Sequence, residues 1–386
     1  MTKYISFSPY YSGFSNIVMN YECAFAVAYI TGRTLILPPN AWCLFISKSH
    51  NPEDYIDIWE VFNKDYVMSE FDCVDFYNVP EFKGKYLMMS GHGDKNVKYQ
   101  SYTNYIDKSV SGVKNIDLLQ YEGSDGIVNT LCSSKQVITN DDYEDDLDFE
   151  DFRQDRIPLN LSKFEDQILH FENSLFGHYW YSIYPGNEDE RNKMKNKINK
   201  CFRYNDRIYD IAFKVSKTLG VYNAIHVRRS DFLDTQTKSL EPVSNPEKLK
   251  CMVELFFERD VPLYISTDEN DKSFFDELRK IYNIFFYEDF EYQLNSLDKV
   301  AVEQTICSQA KTFYGTFNST FTTRINVMRG LEGKQSEDDM GINYYPFENR
   351  QDVVTANPWK LNHHKIWEWN NSSHPQWKTE KDGKYI

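Results

Sequence analysis

The chain has 386 residues, too many for one ordinary core and enough for about two domains. With 43 Lys and Arg against 58 Asp and Glu, its net charge of −15 excludes a general affinity for nucleic acid, and any bound phosphate needs a local basic pocket within a repulsive overall field. Apolar residues make up 41%, enough for a globular interior, yet no stretch of about 20 of them occurs, so no membrane span is expected.

The opening Met1-Thr-Lys-Tyr-Ile-Ser-Phe7 has no apolar run after a basic segment, so the chain as written reads as cytoplasmic, or as luminal if a leader is removed. Tyr4 to Phe7 reads as a short strand, and Ser8 to Asn16 as a loop containing Gly13. Residues 17–31 read as a helix, with Ile17, Tyr21, Ala24, Ala28 and Tyr29 near one face. Thr34-Leu-Ile-Leu37 is a buried strand closed by Pro38-Pro39. Strand, loop, helix, strand is a βαβ unit with parallel strands. Residues 50–125 mix short strands and loops, 139–151 form an acidic, solvated loop, and 161–217 look mainly helical with a break at Pro185-Gly186.

A second alternating series follows. Strands are expected at 222–228, 261–267, 284–287 and 312–315, and helices at 246–258, 270–282, 296–310 and 319–329. Alternation of this kind implies a doubly wound parallel sheet whose ligands sit at the carboxyl ends of the strands. The fold expected is α/β of the GT-B class, two Rossmann-like domains facing a cleft. Residues 1–205 would be the first domain, with a helical middle, 206–335 the second, and 336–386 a Trp-rich tail.

The sharpest local signal is Ile225-His-Val-Arg-Arg-Ser-Asp-Phe232, a buried strand that ends in His226, Arg228, Arg229 and Asp231. Arg228 would offer a diphosphate bidentate, charge-assisted bonds, and Asp231 could steady one of the arginines, though a surface ion-pair cluster would look similar. In Gly315-Thr-Phe-Asn-Ser-Thr-Phe321, Ser319 and Thr320 open a helix whose amides and hydroxyls could seat an anion; an ordinary capped helix would read the same. Asn318-Ser-Thr320 also fits a glycosylation sequon, which a buried phosphate loop would make unusable. Ser12-Gly-Phe-Ser-Asn16 is a turn that could line a donor site from the first domain. The seven Cys show no C-x-x-C spacing, and an odd number suits free thiols better than a full disulfide framework. Rings make up 16% of the chain and could stack on sugars or simply fill the core.

Together these pieces resemble the protein O-fucosyltransferase superfamily, closest to its thrombospondin-repeat type. The resemblance rests on Gly13-Phe-Ser-Asn16 with Gly32-Arg-Thr-Leu-Ile-Leu-Pro-Pro39, His226-Val-Arg-Arg-Ser-Asp-Phe232, Tyr264-Ile-Ser-Thr-Asp268, and Val302-Glu-Gln-Thr-Ile-Cys-Ser-Gln-Ala310 with Phe313 to Ile325. It implies an inverting, metal-independent GT-B enzyme that takes fucose from GDP-fucose to a protein or glycan hydroxyl, with no cofactor besides that donor substrate. It also implies site roles. Arg228 would hold the β-phosphate and stabilise departing GDP, and His226 would contact the nucleotide beside Arg229 and Asp231. Ser319, Thr320 and Phe321 would hold phosphate and ribose or base, Asp268 would fall in the guanosine region, and Gly13, Phe14, Ser15 and Asn16 would form the loop facing donor and acceptor. No Asp-x-Asp stands at a strand end of the later domain, in keeping with metal independence. One departure matters: the thrombospondin-repeat type carries a Glu before the loop glycine as general base, and here that position is Ser12, a poor base without help. Glu22 is a candidate substitute. A non-catalytic module that binds a nucleotide sugar, a transferase using another GDP-sugar, and a glycoside hydrolase are the alternatives; for the last, no carboxylate pair is marked by context. His363-His364 in the tail reads as a surface pair.

Overall fold

The computed structural model describes residues 2–7, 9, 13–38, 40–47, 54–79, 89–90, 103–104, 113–117, 167–173, 188–230, 233, 245–316, 319–331, 380–381 and 384–385. The acidic run at 139–151 and the His363-His364 pair lie outside the described residues. The chain divides between Arg203 and Tyr204 into two compact units, each built on a parallel sheet. Among the described residues no helix is long and apolar enough to cross a membrane.

In the first unit, β1 (Tyr4–Phe7), β2 (Thr34–Leu37), β3 (Cys73–Asp75), β4 (Val113–Asp117) and β5 (Ile168–Asn173) stand in the order β3-β2-β1-β5-β4 with every pair parallel. Helix α1 (Phe14–Thr31) links β1 to β2 and is buried over 14 of its 18 residues, so it has no solvent face and no single apolar stripe to read from the sequence. It starts three residues earlier than the expected 17, because the Gly13 carbonyl accepts the amides of Asn16 at 3.0 Å and Ile17 at 3.2 Å. It stops at Gly32, whose φ of 62° lies in the left-handed region that glycine enters without a Cβ clash. Helices α2 (Lys64–Glu70) and α3 (Glu188–Cys201) pack nearby, α2 capped by the Asn63 side chain.

Rings fill part of this interior. Phe25 meets Phe71 at 4.8 Å and Phe202 at 5.4 Å between centroids, Phe62 meets Phe202 at 5.5 Å, and Phe7 meets Tyr21 at 5.0 Å, all edge to face. Within the supposedly helical 161–217, residues 168–173 are the strand β5, paired on both sides with β1 and β4. A short apolar run such as Ile168-Leu169 does not distinguish helix from buried strand by period, and pairing on both edges decides it.

The second unit holds α4 (Asp206–Leu219), β6 (Asn223–Val227), α5 (Pro246–Phe256), β7 (Leu263–Thr267), β8 (Ile284–Phe285), α6 (Ser296–Gln309), β9 (Phe313–Gly315) and α7 (Thr320–Leu331). The sheet order is β8-β7-β6-β9, again all parallel. Helices α4, α5 and α6 each open on an asparagine, Asn205, Asn245 and Asn295, whose side-chain oxygen accepts a first-turn amide. Ile225, Val227, Leu249, Val253, Leu263 and Ile265 form part of the core between sheet and helices. The helix expected over 270–282 is reduced to a 3-10 turn at Lys272–Phe275 and a single α-turn at Asp276–Arg279. Asp271 caps the Ser273 amide, a local bond that favours a turn over a longer helix.

Arg329 on α7 is fully buried and ties α7 to the end of α6. Its Nη1 donates to the carbonyls of Ser308 at 3.0 Å and Ala310 at 2.6 Å, and its Nη2 to Lys311 at 3.3 Å. Ser308 and Ala310 lie at the end of α6, where carbonyls lack intrahelical partners, and Lys311 follows it. Arg329→Met is expected to lower unfolding free energy by about 3 kcal/mol or more, since it strips charge-assisted donors from buried acceptors. Urea denaturation should show a lower midpoint, and Arg329→Lys should recover little of it because an ammonium cannot fork across three carbonyls.

Candidate functional site

Strands β6, β7 and β9 end level: His226 pairs with Ser266 on one side and with Gly315 on the other. The residues that follow therefore emerge together at the carboxyl edge of the sheet, where parallel α/β sheets bind ligands. After β6 come Arg228, Arg229 and Ser230; after β7 come Asp268 and Glu269; after β9 comes Thr316, with Ser319 and Thr320 leading into α7.

Asp268 organises the first of these turns. Its Oδ1 accepts the Arg229 amide at 2.7 Å, and its Oδ2 accepts the Ser230 amide at 3.2 Å and the Ser230 hydroxyl. The same Oδ2 lies 2.8 Å from Arg228 Nη1. Burial alone would raise the Asp268 carboxyl; the Ser230 hydroxyl, the Arg228 guanidinium and the Arg229 amide outweigh it and hold the group below the usual carboxylate range. Both oxygens are thus engaged within the turn. Thr316 braces the turn from the other side: its Oγ1 accepts the Arg228 amide at 2.9 Å and donates to the His226 carbonyl at 3.1 Å.

The two arginines diverge. Arg228 is partly exposed and held by Asp268. Arg229 instead sends Nε to Glu269 at 2.6 Å and lays its guanidinium over the Phe274 ring at 3.5 Å, so it is committed inside the protein. The sequence pattern treats them alike; in the structure the side chains are similarly half-buried, at 18% and 12% exposure, and differ in what holds them, Asp268 for Arg228 and Glu269 with Phe274 for Arg229.

His226 is buried, stacked on Phe321 with ring centroids 4.4 Å apart, and its Nδ1 lies 2.8 Å from Thr322 Oγ1. Burial, and secondly the Arg228 charge, push its pKa down to about 3 against the opposing pull of Asp268, so the ring is neutral at neutral pH. Thr322 fits against Gly315, where an added Cβ would come within 2.4 Å of Thr322 Oγ1 and 2.5 Å of its Cγ2. Glycine at 315 is thus required by close approach, with no unusual backbone angle involved. Ser319 is buried, and its amide donates to the Thr316 carbonyl at 3.3 Å.

In the first unit, Phe14, Ser15 and Asn16 form the opening turn of α1 just after Gly13, a helix rather than the expected loop. Phe14 stacks on Phe62 at 6.1 Å. Asp231 and Ser12 lie outside the described residues. Glu22 sits in the third turn of α1, only 3% exposed and about 12 Å along the axis from Phe14, which removes it as a replacement for a base at position 12.

Thr316, Thr322, Gly315 and Glu269 were not singled out by sequence reasoning, although the first three stand inside the motif that was. Glu303 on α6 was missed as well. It is buried beneath β7, where Tyr264 donates to its Oε1 at 3.5 Å, and burial raises its carboxyl to about 7 although Lys299 opposes the shift. It stands inside the Val302–Ala310 stretch that carries the resemblance, but its acidic type is common in the chain and gave no sign of its burial.

A family model for GDP-fucose protein O-fucosyltransferase matches residues 4–332. A Caenorhabditis elegans relative, GDP-fucose protein O-fucosyltransferase 2, is 32% identical over 119 residues, 30% of this chain; the match spans 27% of that relative's length. Among solved structures, POFUT1 in complex with GDP aligns with a TM-score of 0.50 and 14% identity, covering 86% of this chain and 97% of that one. Fucosyltransferase NodZ from Bradyrhizobium aligns with a TM-score of 0.45 and 12% identity, over 85% and 94% of the two chains. The fold is α/β of the GT-B class, with two Rossmann-like units.

Two outcomes follow from this geometry. Gly315→Ala forces Thr322 away from His226 and is expected to cost about 1–3 kcal/mol of stability, measurable as a lower midpoint in urea. For His226, the unfolded chain takes up a proton below about pH 6.5 while the folded ring resists until about pH 3, so its contribution to stability falls as pH drops through that window. Between pH 7 and pH 5 the wild type should therefore lose more unfolding free energy than His226→Gln; the opposite titration of Glu303 is common to both proteins and cancels in the comparison.

Proposed function

The chain belongs to the GDP-fucose protein O-fucosyltransferase family, and we infer that it transfers fucose from GDP-fucose to a hydroxyl of a protein Ser or Thr or of a glycan, with inversion and without a metal. The observation that carries the reading is the partly exposed Arg228 guanidinium, held by Asp268 at the carboxyl edge of the second sheet, on a turn that Thr316 braces through the Arg228 amide.

Cleavage of the bond between fucose and the β-phosphate leaves negative charge on the diphosphate and makes the sugar oxocarbenium-like. A cation already held in place meets that charge without reorganising, which is where electrostatic catalysis gains most. The planar guanidinium has five donors, so one edge can stay on Asp268 while the group grips phosphate oxygens. We assign Asp268 and Thr316 to positioning this turn, and Arg229, through Glu269 and Phe274, to anchoring it. His226, neutral, gives one N–H to the nucleotide, and Ser319 and Thr320 offer amides and hydroxyls at the start of α7. The chain's overall negative charge makes a dedicated cation at this spot more necessary, since the background field repels GDP-fucose. Gly13 and the opening turn of α1, including Asn16, supply the donor and acceptor contacts of the first unit in this reading.

Calorimetry and turnover test it. The wild type should bind GDP, leave UDP unbound, and release GDP from GDP-fucose. Arg228→Ala should lower turnover by about a hundredfold or more, consistent with losing about 3 kcal/mol of transition-state stabilisation. Arg228→Lys should not restore it. Binding of UDP in preference to GDP contradicts the donor assignment, and tight GDP binding without turnover would favour a non-catalytic module.

A further inference from the structure

We propose that Thr322 is a positioning residue for the nucleotide site: its hydroxyl donates to Nδ1 of His226 and so fixes the ring as the Nε2–H tautomer. This rests on the reading above, in which the ligand near His226 is a diphosphate.

A neutral imidazole carries one N–H, and the contact made by one ring nitrogen decides what the other can offer. Nδ1 lies 2.8 Å from Thr322 Oγ1, a hydrogen bond in which the hydroxyl can give or take the proton. If Thr322 accepted, Nδ1 would hold the only proton and Nε2 would turn a lone pair toward any ligand, repelling phosphate oxygens. If Thr322 donates, Nε2 carries the proton and becomes a donor suited to an anion. Only the second arrangement agrees with a diphosphate partner.

The surroundings make the contact durable. Phe321 stacks on the imidazole at 4.4 Å and sets its plane. Thr322 is buried and β-branched, with restricted χ1 on a helix, and Gly315 leaves only the space its side chain fills. The backbone that bears His226 is itself held by Thr316, which donates to its carbonyl. Thr322 therefore acts at one remove from the ligand, through the proton position on His226.

The full chain labelled with 15N-histidine tests this without substrate. His226 is assigned among the eight histidines by the signal lost in His226→Gln. The wild type is expected to show a pyridine-type Nδ1 and a pyrrole-type Nε2. Thr322→Ser, which keeps the hydroxyl, should preserve that pattern and GDP affinity. Thr322→Val, of nearly the same shape, should move His226 toward the Nδ1–H tautomer and weaken GDP binding about tenfold, the loss of roughly one charge-assisted hydrogen bond. A proton on Nδ1 in the wild type overturns the proposal, as does a Val variant with the wild-type spectrum and affinity. Failure of the wild type to bind GDP would instead overturn the donor reading, while the unliganded spectra would still decide the role of Thr322.

Discussion

The turn after β6 has a shape because one carboxylate holds it. Asp268, at the end of the neighbouring strand, accepts two consecutive amides, a hydroxyl and one end of a guanidinium. Without it, Arg228 would be a long cation on a flexible stem, and ordering such a side chain costs about 2 kcal/mol of rotamer entropy at the moment of binding. With it, that cost falls on folding. The pairing is partly buried, so water screens it less than a surface ion pair, and the extra hydrogen bonds offset the cost of taking the carboxylate out of water. Every other assignment at the site depends on this turn being where Asp268 puts it.

Much of this was legible in the sequence. The βαβ series of the second unit follows from the alternation of apolar runs with helical stretches, and strands at 223–227, 263–267 and 313–315 fall within the expected spans. The convergence of His226, Arg228 and Asp268 also follows, because residues at the ends of adjacent parallel strands must meet. What stayed hidden was which atom touches which. Arg228 and Arg229 are identical in type and adjacent, and only the Phe274 ring and Glu269, more than 30 positions away, decide that Arg229 turns inward. Likewise Thr322 looked like one more threonine in a threonine-rich string until Gly315 and His226 closed around it.

The first unit shows the opposite limit. Helix α1 is buried nearly all round, so its period was faint and its start was placed too late. Strand β5 lay inside a stretch whose composition favoured helix; its identity comes from β1 and β4, contacts far away in sequence. Long-range pairing of this kind overrides local preference and cannot be read from a window of residues. Glu22 illustrates the same point for chemistry: its type suits a base, and its burial within α1 removes it.

In the proposed reaction Arg228 meets the diphosphate while Asp268 keeps its hold on the turn. A crystal structure of the chain with GDP bound tests this most directly. The β-phosphate is expected within hydrogen-bonding distance of the Arg228 guanidinium, with the Arg229 amide still on Asp268. A diphosphate seated elsewhere, with Arg228 making no contact to it, would contradict that role for Arg228.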